Sequence, residues 1–496
     1  MATNKYIKAV YYNFAYFLIS SLAFLVLTPL AIRVMGGEFY GLWMILFAVG
    51  QLSVIGTFGI SSIVNKFASE DNEAQDTQSA ILSSAIVIVL CMALAAAVIL
   101  FFLRSFLAEN INPSPIYFSQ FKIALAVYAL MIIPQFLIRV FQGFFLSQIM
   151  NRFARTMDLL NSLLPLLGGV LLALLYKNLI ILALWNLLVG LLVLALYVFK
   201  TRQIIVLNWT PTRAMIKRML NFSVFMFIES AAVILFQQFD RLLVAFTLGP
   251  AASGVYSVAT GAASRISMIA GNITEVLVPY ASRKHSQDEN DALERIVGKA
   301  SFYVSLIVAL VGGLLIIWMK ELLSLWISPE YAAANSGLFC VIILAYSILS
   351  LSRPAHQTLV GMGKVKRTAL TYLTASVVML AAVYGLSLRL GLPGAGIANL
   401  AMAALLGMNF YLYRWFNRRR VWQRFLTDLA LGILPLVLAL IFFGLGFSWH
   451  YKLLYSILLL ILTISLLFKD PDFIQSVKLV WAKLTNRGQA TEKDDL

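Results

Sequence analysis

Residues 12–43 read YNFAYFLISSLAFLVLTPLAIRVMGGEFYGLW. From Tyr12 to Ile32 there is no charged side chain. As a helix rising about 1.5 Å per residue, such a run matches the roughly 30 Å hydrocarbon core of a bilayer. Lys5 and Lys8 precede it, and no small-residue cleavage site follows. It therefore reads as a retained first span rather than a signal peptide. The run stops at Met35-Gly36-Gly37, and a second apolar run starts at once with Phe39 and Tyr40. Two apolar helices joined by a glycine break form a membrane-crossing hairpin, and that hairpin decides the fold class.

Working outward, the same criterion finds runs near 12–33, 40–63, 79–103, 117–138, 154–175, 179–199, 222–247, 254–278, 300–319, 337–353, 368–389, 394–414, 426–447 and 451–468. All have helical length, and none is a short alternating segment, so a β-barrel is excluded. Of the 496 residues, 61% are hydrophobic and only 12% charged, with mean hydropathy +0.87. That leaves too little polar surface to cover a soluble core. The expected fold is all-α and polytopic, with about 14 transmembrane helices.

The net charge of +16 would suggest nucleic acid in a soluble protein. Here the basic residues lie in short loops between apolar runs, which excludes a nucleic-acid partner and turns them into topology signals. With the N-terminus cytoplasmic, 29 Lys and Arg fall on the cytoplasmic side and seven on the other. Both termini are therefore expected in the cytoplasm. Three basic segments read as helices lying in the membrane interface. They are Trp209–Asn221, with Thr210 as cap and Pro211 at the first helical position, then 414–424 and 470–484.

A short pattern recurs where spans end: Met35-Gly36 then Gly41-Leu42-Trp43; Leu248-Gly249 then Gly254-Val255-Tyr256; Leu390-Gly391 then Gly396-Ile397-Ala398. The first glycine suits a helix C-cap, and the second, five residues on, lets the hairpin close tightly. The first two copies lie 213 residues apart, with six spans between them. An even number gives two like-oriented halves related by an axis along the membrane normal. The expected division is an N-terminal lobe over 1–199, a basic interfacial linker over 200–221 and a C-terminal lobe over 222–415. Two further spans follow over 416–468, then a cytoplasmic helix and tail over 469–496.

Enzyme chemistry is not encoded. Gly361-Met362-Gly363-Lys364 lacks the spacing of a phosphate-binding loop, and neither Gly-x-Ser-x-Gly nor His-Glu-x-x-His occurs. Cys91 and Cys340 sit apart in apolar spans, and His285, His356 and His450 are scattered, so no metal or other cofactor is expected. A membrane glycan polymerase or ligase would need a sizeable outer loop. The outer loops here run to about 17 residues at most.

The remaining signals are ionisable residues at membrane depth. On insertion scales each costs about 2.5–3.5 kcal/mol, so each faces a cavity or a partner. Gln135, Arg139 and Gln142 make an i, i+4, i+7 stripe on the fourth span, and Asp158 enters the fifth near Arg155. Glu229 and Asp240, eleven residues apart, fall within about 20° of one another on an α-helix. Arg241 adjoins Asp240, and Arg265 lies mid-span among serines and glycines. Two readings stand. Asp240 pairs with Arg241 or Arg265 and merely holds the bundle together, or the arginines face a cavity and bind an anion. For the second, the guanidinium fork matches phosphate, and Glu229 or Asp240 carries a coupling ion.

Asn13-Phe14, Thr28-Pro29-Leu30, Arg33-Val34-Met35-Gly36 and Tyr40-Gly41-Leu42-Trp43 together resemble the opening of polysaccharide-transporter, or O-antigen flippase, proteins. Phe222-Ser223, Asp240-Arg241, Gly249 and Gly254-Val255-Tyr256-Ser257 resemble the start of that family's second half. Gly363-Lys364 and Gly391 to Ala398 fit its later part. The family belongs to the multidrug/oligosaccharidyl-lipid/polysaccharide flippase superfamily. The resemblance implies two six-helix lobes around a cavity plus two C-terminal helices. It also implies movement of an undecaprenyl-diphosphate-linked oligosaccharide across a bacterial inner membrane, with polysaccharide polymerase and export proteins as further partners. Alternatives within the superfamily are a multidrug exporter and a lipid II flippase.

Overall fold

The computed structural model describes residues 2–471 except 54–56, 58, 71–74, 149, 206–207, 221–230, 232–233, 288 and 417–418, together with residue 474. Among these residues there is no strand. The first half contains α1 (Ala2–Met35), α2 (Gly37–Ser53), α3 (Ile60–Glu70), α4 (Gln75–Ile111), α5 (Pro115–Ser147), α6 (Asn151–Tyr176) and α7 (Leu179–Arg202). A short helix α8 (213–220) follows, then α9 (Asp240–Leu248), α10 (Pro250–Thr274), α11 (Leu277–Ser286), α12 (Asn290–Ile307), α13 (Gly313–Ile317) and α14 (Met319–Trp326). The last elements are α15 (Pro329–Leu351), α16 (Arg353–Gly361), α17 (Val365–Ala398), α18 (Gly407–Phe416), α19 (Arg419–Gly444) and α20 (Trp449–Leu467).

Ten of these helices are long and apolar enough to cross a membrane. One of them, Val365–Phe416, is 52 residues long and is broken at Gly391, whose φ is 66°, so it makes two crossings. The expected span 40–63 is shared by α2 and α3. Span 254–278 is α10, whose serines, threonines and glycines dilute its apolar character. The first part of span 222–247, with Glu229, lies outside the described residues, as does nearly all of the helix expected over 470–484. The chain is a multi-pass, all-helical membrane protein of about fourteen spans.

Two packing groups emerge. In the first, α5 lies against α2, α3, α4 and α7, with α6 joining α1 to α7. In the second, α15 lies against α10, α14 and α17, and α19 runs along α12 and α13. Helix α20 is held to this group by polar ties. Lys452 Nζ donates to Glu321 Oε1 at 2.6 Å, Trp318 Nε1 to Ser456 Oγ at 3.0 Å and the Tyr455 hydroxyl to the Pro435 carbonyl at 2.6 Å. The linker docks on the first group, with Thr212 N donating to Ser84 Oγ at 3.2 Å and Arg218 over the Phe67 ring at 4.5 Å. Its cap is corrected. Helix α8 starts after Thr212, whose Oγ1 accepts from Met215 N at 3.3 Å, and Thr210 and Pro211 precede it. Pro211 removes a donor only ahead of the helix, so the hydroxyl next to the first turn takes over the capping role.

The three turn glycines behave as their pattern requires. Gly36, Gly249 and Gly391 have φ of 76°, 85° and 66°, the left-handed region where a Cβ is penalised. The second glycines do something else. Gly41 lies one turn inside α2, and a Cβ there would overlap the Pro250 carbonyl of α10. A Cβ on Gly254 would come within 3.0 Å of Gly41 Cα. So Gly41 and Gly254 do not tighten their own hairpins. They bring the two copies of the pattern into backbone contact with each other, joining the two groups by a close helix crossing. Near the same end, Arg33 Nη2 donates to the Ile327 carbonyl at 2.7 Å and Trp326 Nε1 to the Leu25 carbonyl at 2.6 Å.

This crossing is testable. Gly41→Ala must push α2 and α10 apart, an overpacking cost of about 1–3 kcal/mol. Gly271→Ala in the same α10 meets nothing within 4 Å and should gain up to about 1 kcal/mol of helix propensity. In detergent the first variant should therefore melt several degrees below wild type and the second at or above it. Equal melting of the two would show that the crossing is not close.

Candidate functional site: two arginine-bearing cavities

In the first group the α5 stripe meets α6. Gln135 Nε2 donates to Asn161 Oδ1 and Asn161 Nδ2 to Gln135 Oε1, both at 3.1 Å. One turn on, Arg139 Nη1 donates to Gln142 Oε1 at 3.0 Å, and Gln142 Nε2 donates to Asp158 Oδ1 at 2.8 Å. Asp158 also pairs with Arg155 at 3.4 Å. Two helices facing each other with polar residues at i, i+4, i+7 and at Asp158 and Asn161 necessarily zip together, because lipid offers those groups no partner. Gln135 and Arg139 line a cavity of about 60 Å³ with Gln51, Tyr128, Asn161 and Asn186. Gln142 does not line it. It is buried, and it relays Arg139 to Asp158.

The second group holds a larger cavity, about 250 Å³, lined by Gln237, Gln238, Arg241, Ser264, Ser267 and Arg353 together with Tyr346, Met268 and Leu349. Its geometry depends on a π turn over Leu235–Phe239. One extra residue per turn sets the register of Asp240 and Arg241 beyond it; Glu229, expected on one face with Asp240, lies outside the described residues. Beyond the turn, Arg241 faces the cavity, while Asp240 is fully buried on another side. Arg353, at the break between α15 and α16, donates to Ser267 Oγ through Nε at 3.1 Å and Nη2 at 3.0 Å.

Arg265 does not line this cavity but stands at its edge. Its guanidinium lies 4.9 Å over the Phe24 ring of α1, and Nη1 rests 3.8 Å from Met268 Sδ, which does line it. Arg265 thus sits where the two groups meet. Among the described residues no carboxylate forms an ion pair with Arg241, Arg265 or Arg353, and Arg241 Nε and Arg265 Nε lack hydrogen-bond acceptors.

Asp240 makes no contact ion pair with Arg241 or Arg265: the Arg241 charge is near enough to act on it, but the hydrogen bonds of the carboxylate go elsewhere. Asp240 Oδ1 accepts from the Arg241 backbone N–H at 2.8 Å, and Oδ2 accepts from the Tyr256 hydroxyl at 2.7 Å. That hydroxyl accepts in turn from Asn399 Nδ2 at 2.7 Å. Asn399 begins a 3₁₀ segment, Asn399–Leu406. The result is a buried cradle of neutral donors for one carboxylate, built from α9, α10 and the 3₁₀ segment that follows α17. As site residues, Tyr256, Asn399, Asn161 and Tyr128 escape a reading by sequence. Each is one polar residue among others in its span, as Asn399 is beside Asn409 in span 394–414, and spacing along the chain does not single it out.

At the end bearing most Lys and Arg, Lys364 Nζ lies 4.4 Å over the Trp415 ring and Arg367 4.9 Å over Tyr411. Burial there, with Arg367 alongside, holds the Lys364 amine below its usual range. The described residues bring no three His, Cys, Asp or Glu side chains together as metal ligands.

Among solved structures, the chain superposes on one titled "Lipid II flippase MurJ, inward closed conformation" with TM-score 0.67 at 14% identity, covering 92% of this chain and 99% of that one. An inward-facing multidrug resistance MATE family transporter of the MOP superfamily gives TM-score 0.66 at 12% identity, covering 82% and 98%. A MOP superfamily transporter from Pyrococcus furiosus, described as having a binding pocket of reverse polarity, gives TM-score 0.52 at 12% identity, covering 82% and 94%. At these identities the likeness is one of fold, and the fold is that of transporters. Comparison with curated proteins gives no match. Residues 7–285 match the family described as "Polysaccharide biosynthesis protein", more than half of the chain, and the chain belongs to that family.

Proposed function

We propose that this protein moves an undecaprenyl-diphosphate-linked oligosaccharide from the cytoplasmic to the outer leaflet of a bacterial plasma membrane. One observation carries the reading: three arginines at membrane depth, Arg241, Arg265 and Arg353, gather around one cavity, and among the described residues none of them forms an ion pair with a carboxylate. An unpaired guanidinium there is costly, and a ligand that brings two phosphates repays that cost by charge-assisted, bidentate hydrogen bonds. The lipid tail stays in the bilayer while the headgroup crosses. Residues 1–199 and 222–415 rock as lobes about the cavity, the linker 200–221 spans them on the cytoplasmic side, and both termini lie in the cytoplasm. The Gly41–Gly254 crossing closes the outer end in this conformation. Asp240, held by Tyr256, couples the movement to an ion gradient.

A multidrug exporter is the competing reading. Cationic drugs call for carboxylates, and none lines either cavity among the described residues. The proposal is tested by leaflet assay. In spheroplasts of a strain lacking the protein, lipid-linked oligosaccharide should accumulate inaccessible to an external lectin, and restoring the gene should expose it. Lectin-accessible intermediate in the deletion strain, with altered drug resistance, would favour the exporter.

A further inference from the structure

We infer that the cavity of the first helix group is a sugar subsite, reading one sugar of the cargo, while the arginine cavity of the second group holds the diphosphate. The inference rests on the lipid-linked oligosaccharide reading above. It starts from the contrast between the two linings. Six of the ten residues around the first cavity are polar, and four of those are neutral amides: Gln51, Gln135, Asn161 and Asn186. Its one cation, Arg139, is relayed through Gln142 to Asp158.

An amide side chain offers two N–H donors and two acceptor lone pairs. The reciprocal Gln135–Asn161 pair uses one donor and one lone pair on each residue, so each retains one further donor and one further acceptor, pointing outward from the two ends of the pair. Asn186 spends one N–H on the Leu182 carbonyl at 2.8 Å and keeps the rest. Tyr128 lines the same space, is only 1% exposed, and its hydroxyl has no hydrogen-bond partner. Arg139 Nε is likewise unmatched. Polar atoms buried without partners cost free energy that a complementary ligand recovers. A phosphate would leave the amide oxygens unused, a cation would find no carboxylate, and an acyl chain would use nothing. Vicinal sugar hydroxyls donate and accept together, and the Phe47 and Tyr128 rings suit the C–H face of a pyranose. By the measure in which one water needs roughly 10–15 Å³, about 60 Å³ admits the edge of one ring and not an oligosaccharide.

The test uses purified full-length protein in nanodiscs with two probes: bare undecaprenyl diphosphate, and the lipid-linked oligosaccharide pool extracted from the source cells. Wild type should bind the glycosylated pool at least about tenfold more tightly than the bare diphosphate. Gln135→Leu should lose that preference and still bind the bare diphosphate as wild type does. Gln51→Ala repeats the test at an exposed lining residue with no fold-bearing contact, so a misfolded Gln135→Leu does not decide the matter. Both variants keeping the wild-type preference, or wild type showing none, would overturn the sugar subsite while leaving the diphosphate site standing. Wild type binding neither probe would instead overturn the diphosphate reading and this inference with it.

Discussion

Arg265→Ala is expected to abolish surface glycan export while the protein accumulates in the membrane at its normal level. The residue sits at the junction of the two helix groups, its guanidinium over Phe24 and its Nε without an acceptor. Among the described residues no carboxylate pairs with it, so removal breaks no ion pair there. It also relieves the bilayer-depth cost of an unpaired cation, so stability should be unchanged or slightly higher. What is lost is ligand binding. One bidentate guanidinium–phosphate contact corresponds to about 3–5 kcal/mol when truncated from a desolvated site, or 100-fold and more in affinity. Arg265→Lys should recover only part of this, since an ammonium keeps the charge but not the planar fork. Export is read by lectin or antibody labelling of the surface, and abundance by immunoblot of membranes. Export at the wild-type level in Arg265→Ala would remove this residue from the site, whereas lost export with lost protein would indicate a folding role.

Asp240→Asn should uncouple transport at almost constant structure. The amide is isosteric with the carboxylate; its one oxygen can still accept from the Arg241 backbone N–H, and its NH2 would donate to the Tyr256 hydroxyl instead of accepting from it, so the fold of the second group is kept. What disappears is the group that can gain and lose a charge in a fully buried position. In vesicles carrying an imposed ion gradient, wild-type transport should fall when the gradient is collapsed. Asp240→Asn should start at least about tenfold lower and respond to neither condition, because the differential free energy linking ion to conformation is gone. Tyr256→Phe removes one of the two donors and should fall between the two. Wild-type transport that persists undiminished without a gradient would rule out coupling through Asp240.

The membrane fold was legible from residues 12–43 outward because its determinants are local. Hydrocarbon thickness sets a run length, backbone hydrogen bonding demands a helix, and a left-handed turn demands a glycine, so Gly36, Gly249 and Gly391 could be placed from the chain alone. The α5 stripe of Gln135, Arg139 and Gln142 was legible for the same reason, since helical periodicity puts them on one face. The roles within that stripe were not. Which of the three lines a cavity and which relays a charge depends on α6, a neighbour reached through space.

Other features were decided only in three dimensions. The π turn before Asp240 has no propensity signature, yet its single extra residue moves Arg241 into the cavity and aims Asp240 at Tyr256 and Asn399, in other helices. Arg353 reads as the end of a span until α10 brings Ser267 to it. The chain itself dictated where helices run and where they turn. Tertiary packing chose which polar residues meet. Above all, it set Gly41 against Gly254, because a glycine's missing side chain says only that something approaches closely and never from where.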